Sequence, residues 1–230
     1  GESGAVTVSA GTSGADTGSA MRIIGGASAR STGGLLTLES GAGDQGSSGD
    51  VDVRSPVSAV SGSVRVNTGS GTVGNSGGIY IQSGQSVGGQ GGSIDVKVGA
   101  GDSGSGGAIL MSAGQTATTE SGGSVSVMSG SSADGASGSV SLGTVGSASS
   151  SARSGAMRVV TGTYTSGASG DIDVASGNAG ADKVGTVRVS VGSATGGADA
   201  GDVSLTAGAS EETQGGTIKI VSGQSTDSSS

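Results

Sequence analysis

Apolar residues recur along this chain in short triplets of the form aliphatic, any residue, aliphatic, separated by stretches of Gly, Ser, Ala and Thr. Taking the first aliphatic residue of each triplet as an anchor, the anchors are Val6, Met21, Leu36, Val51, Val64, Ile79, Ile94, Ile109, Val125, Val140, Met157, Ile172, Val187, Val203 and Ile218. Ten of the fourteen spacings are 15 residues and the others 13, 16, 16 and 17, so the chain is read as tandem units. Within a triplet the alternation has period two, which places both aliphatic side chains on one side of an extended segment. The residue four past the anchor is small and continues that side. A Gly usually follows it, as in GSIDVKVGAG (92–101), GDIDVASGNA (170–179) and GTIKIVSGQS (216–225). Gly at that point suits a sharp corner.

Helix is disfavoured, since Gly costs about 1 kcal/mol relative to Ala in a helix and β-branched residues and Ser are also poor formers. Stacking in register would make every unit equivalent to the next. The pattern therefore predicts an all-β fold: a single parallel β-solenoid, a flattened two-sided β-helix of about fifteen coils of about fifteen residues, continuous over 1–230. At about 4.8 Å per coil such a rod would be on the order of 70 Å long. The unit with Pro56 is short and predicts a tighter corner. The 17-residue unit with LGTVGSASSSARSG (142–155) predicts a bulging loop. Stacked units without caps would leave open strand edges and invite head-to-tail joining.

The outward residue of each triplet forms a row in which charges alternate. Asp52 would face Arg65 on the next coil, and Asp173 would lie between Arg158 and Arg188. Opposite charges on adjacent strands are worth about 0.2–1 kcal/mol and oppose register slips, so this row reads first as a structural charge ladder and second as a partner-binding stripe. A second strand would expose small uncharged or amide residues, among them Thr12, Ser70, Gln85, Gln115, Ser131, Thr163, Asn178, Ser193 and Gln224. That face is the candidate contact surface, for lateral packing of a second rod or for a hydroxylated surface.

Composition narrows the chemistry. The chain has 230 residues with 52 Gly, no Cys, no His, no Trp, no Phe and a net charge of −8. The absence of a basic stripe argues against nucleic acid, and no apolar run reaches membrane-spanning length. Without His or Cys there is no Ser triad base and no thiolate, and Lys97, Lys183 and Lys219 have no motif around them. Acids collect along the variable loops at Asp16, Asp44, Asp102, Glu120, Asp134, Asp182, Asp199, Glu211 and Glu212, mostly one per unit. Calcium takes six to eight oxygens, so this edge reads as solvated, with weak attraction of cations or basic matrix components as its functional alternative. GGQGG (88–92) has no following GK[ST] and is not read as a nucleotide loop. No catalytic residue, cofactor or metal is expected.

Units such as SGDVDV, SGSVRV, SGSVSL and SGASGDIDV resemble the Ser/Gly-rich tandem repeats of predicted secreted and cell-wall-associated proteins of diatoms and related algae. The resemblance spans essentially the whole chain. It implies an extracellular matrix, adhesive or biosilica-associated role and a location outside the cell, although GESGAVTVSA is not itself a signal peptide. The expected function is a non-catalytic structural protein, a stiff rod of an extracellular filament, matrix or cell wall that self-associates head-to-tail or laterally. The alternative is a module that binds ice, silica or polysaccharide through its small polar face.

Overall fold

The computed structural model describes residues 4–14, 17–146, 153–165, 167–180 and 182–224. Within it the chain divides into two units, Gly1–Met111 and Ser112–Ser230. The repeat is plainly present. Among the described residues, however, there is neither helix nor strand, and this overturns the all-β solenoid, the β-helix and the coil spacing behind the 70 Å estimate.

The reason lies in where the backbone bonds go. A β-ladder needs a neighbouring backbone about 4.8 Å away, exchanging bonds along its length. The triplets alternate in sequence as strands do, yet no backbone bond joins one triplet to another among the described residues. The backbone bonds outside regular elements instead close individual loops, from Gly34 N–H to Gly26 O (2.8 Å), Gly49 to Gly41 (2.9 Å), Gly123 to Gly114 (3.0 Å), Gly138 to Gly130 (2.9 Å) and Gly216 to Gly208 (2.8 Å). Each donor lies two residues before an anchor and each acceptor five residues past the preceding one. In these five repeats the stretch expected as a second strand is therefore the first limb of a closed, Ω-like loop.

Glycine makes this neck. A Cβ on Gly25 would stand 2.6 Å from the Gly34 carbonyl oxygen, and one on Gly123 would stand 3.2 Å from the Gly114 nitrogen. The residue before an anchor by two is Gly in fourteen of the fifteen units, Ser19 being the exception, so the donor position of the neck recurs in nearly every repeat. The chain then bends eight to ten residues past the anchor, at 29–31, 44–46, 72–74, 87–89, 133–135 and 211–213 among others. Gly74, Gly88, Gly104, Gly196 and Gly197 take positive φ at these bends, where a side chain would be strained.

In the first unit, the loop after Ser55 is short and carries Pro56 where most repeats have Gly. It is closed differently: the Ser55 hydroxyl donates to the Gly62 carbonyl at 3.0 Å. In the second unit, the centre of the bulging loop expected over 142–155, residues 147–152, lies outside the described residues, as does Asp16 in the first.

No described residue is buried. The accessible surface of 22918 Å² compares with about 9,000 Å² for a compact globule of this mass and about 30,000 Å² for its unfolded chain. The residues of intermediate exposure are Gly25, Ser40, Ser55, Ser83, Ala113, Thr161 and Ala207, all four past an anchor.

Candidate interaction surface

Two features repeat from loop to loop. Seven residues past the anchor stands either a hydroxyl or a Gly in most units. At three of the hydroxyl positions it accepts from amides three residues on: Ser31 N–H to Ser28 Oγ (3.1 Å), Gly135 N–H to Ser132 Oγ (2.9 Å) and Thr213 N–H to Ser210 Oγ (3.1 Å). Thr116 Oγ1 accepts from Thr118 N–H in the same way, at 3.3 Å. These are Ser/Thr turns, in which the side chain replaces a backbone acceptor. At two of the Gly positions the returning backbone occupies the space: a Cβ on Gly43 would lie 2.5 Å from Ser47 O and one on Gly71 2.8 Å from Gly74 O, whereas Gly101 has room. Sequence reasoning missed this rule, whose signal is the hydroxyl-or-Gly choice at one register of the repeat.

The second feature is the triplet row. All thirty of its aliphatic residues are exposed. The first of each pair is the more shielded, between 49% at Leu36 and 58% at Val51 except for Val6, while the second runs from 63% at Val127 to 87% at Ile220. Each pair therefore stays about half exposed or more, with neither of its members buried in the described chain.

Charges on the row pair along a segment rather than between segments. Asp52 accepts from Arg54 at 3.2 Å, and Asp95 from Lys97 at 2.5 Å. Residues two apart on an extended chain point the same way, about 7 Å apart at Cα, within reach of a long basic side chain. Arg65 is not brought to Asp52. Arg158, Asp173 and Arg188 are exposed and form no ion pair with one another.

The polar positions Thr12, Ser70, Gln85, Gln115, Ser131, Thr163, Asn178, Ser193 and Gln224 all stand six residues past an anchor, exposed on the outgoing limb of a loop. Among the described residues there is no enclosed cavity and no cluster of acids suited to a metal ion. No helix is long and apolar enough to cross a membrane. No family model, curated protein or solved structure matches the chain.

Proposed function

We propose that this chain is a non-catalytic structural protein of an extracellular filament, matrix or cell wall, working by self-association of its aliphatic segments. The observation that carries this reading is the exposed triplet row. Single exposed apolar residues are ordinary, but a recurrent row of pairs, none of them buried among the described residues, is the mark of an association surface. Among the described residues the triplets also keep backbone N–H and C=O groups free of backbone partners, available for pairing between chains. The likeness of the units to algal cell-wall repeats supports the extracellular setting. Sedimentation velocity across a wide concentration range tests it: reversible growth in mass, strengthened by sulfate because burial of apolar surface is favoured, is expected. A monomer at every concentration would end the reading.

A second reading rests on the uniform placement of the polar positions six past the anchor. A row of hydroxyls and amides at one register suits a hydroxylated surface such as silica, ice or polysaccharide. Pull-down on silica, thermal hysteresis and glycan arrays check it, and blanks in all three dismiss it.

A further inference from the structure

We infer that two copies of this chain meet through complementary segments of their Ser112–Ser230 units, residues 171–173 of one copy against residues 186–190 of the other. The inference rests on self-association as proposed above and names the surface that sets its register.

Asp171 and Asp173 stand two residues apart, the separation at which Asp52 meets Arg54 and Asp95 meets Lys97. The other two triplets with an acid at the central position neutralise it internally, Asp52 with Arg54 and Asp95 with Lys97. The segment at 171–173 has no such option, because Ala175 stands where those segments carry Arg or Lys. It presents two carboxylates with no cation. The complementary segments are also in this unit. Arg158, Arg188 and Lys219 occupy central triplet positions with no acid two residues away on either side.

Among these, Arg188 fits best. It is flanked at two residues by Thr186 and Ser190, both with hydroxyls that can donate, whereas Arg158 is flanked by Ala156 and Val160 and Lys219 by Thr217 and Val221. With Asp173 opposite Arg188, Asp171 falls opposite Ser190 in an antiparallel pair and opposite Thr186 in a parallel one, so either orientation supplies a donor. In the antiparallel case the arrangement is self-complementary: Asp173 of each copy meets Arg188 of the other, as a two-fold dimer requires.

The absence of Cys makes the test direct. Full-length chains carrying Asp173→Cys and Arg188→Cys are mixed under oxidised glutathione, with Asp173→Cys plus Arg158→Cys and Asp52→Cys plus Arg65→Cys as comparators. The first mixture is expected to give several-fold more disulfide-linked heterodimer than either comparator. Because Cys removes the charges it reports on, sedimentation of charge variants accompanies it. Asp173→Arg and Arg188→Asp should each weaken association about two- to fivefold, and the double exchange should restore it. Association that persists with equal cross-linking in all mixtures, or with no rescue, overturns this pairing and leaves self-association standing. Loss of association in the unsubstituted chain removes both. A disulfide formed within one chain of the Asp173→Cys/Arg188→Cys double variant, independent of concentration, also overturns it.

Discussion

At the scale of single residues, this chain is held by contacts that admit no substitute of the wrong size. Gly25 faces the Gly34 carbonyl at a distance that no Cβ could keep, whereas the adjacent Gly26 has open space around it. Gly25→Ala is therefore expected to open its neck and release the Gly34 N–H from Gly26 O, while Gly26→Ala is not. One such bond is worth about 0.5–1.5 kcal/mol, or roughly two- to twelvefold in amide exchange. Exchange at Gly34, followed by NMR in both variants, checks this, and equal effects would refute the steric account. A parallel comparison tests the hydroxyl turns. Ser132→Ala should speed exchange at Gly135, whose N–H lies 2.9 Å from Ser132 Oγ, by a similar factor. Ser131→Ala, one residue away, should not.

At the scale of the element, the loop neck takes two forms, and they respond differently to the same replacement. Ser40 and Ser55 both stand four past an anchor. The Ser40 neck is closed by backbone, Gly49 to Gly41, but the short Ser55 neck by its own hydroxyl on Gly62. Ser55→Ala is expected to loosen residues 55–62, seen as chemical shifts at 56–61 moving toward random-coil values, while Ser40→Ala leaves 41–49 unchanged. Identical behaviour would show that the hydroxyl does not close the short loop. The comparison also explains what was legible in the sequence. Val6 through Ile218 marked the units, and period two placed both aliphatic residues of each triplet on one side. Alternation states which way side chains point but not which backbone lies beside them, so a lone extended segment and a strand of a ladder look alike. Gly, Ser and Thr past the triplet fit a second strand and a closed loop equally well, which is why Thr12 and Ser131 were expected on a strand. The charge row was legible as residues, but pairing between units depended on the ladder. Arg54 and Lys97, two residues from their acids, were closer partners that needed none.

At the scale of the whole molecule, the decisive property is that no described residue is buried. Cooperative unfolding draws its enthalpy and heat-capacity change from surface hidden in the native state. A conventional domain of this length would absorb about 160 kcal/mol on melting, at about 0.7 kcal/mol per residue. With its aliphatic pairs about half exposed or more and its observed necks closed locally, a single copy has little to lose in concert. Dilute chain is expected to show no sharp endotherm in scanning calorimetry, only a gradual slope as necks open independently. Raising the concentration brings the triplet rows of different copies together and removes apolar surface from water. A transition should then appear, with a midpoint that climbs with concentration, because anything that binds the ordered form stabilises it by mass action. A sharp endotherm at the lowest measurable concentration, unmoved by further dilution, would mean that a single chain buries its own triplets and would remove the physical basis for assigning that surface to other copies.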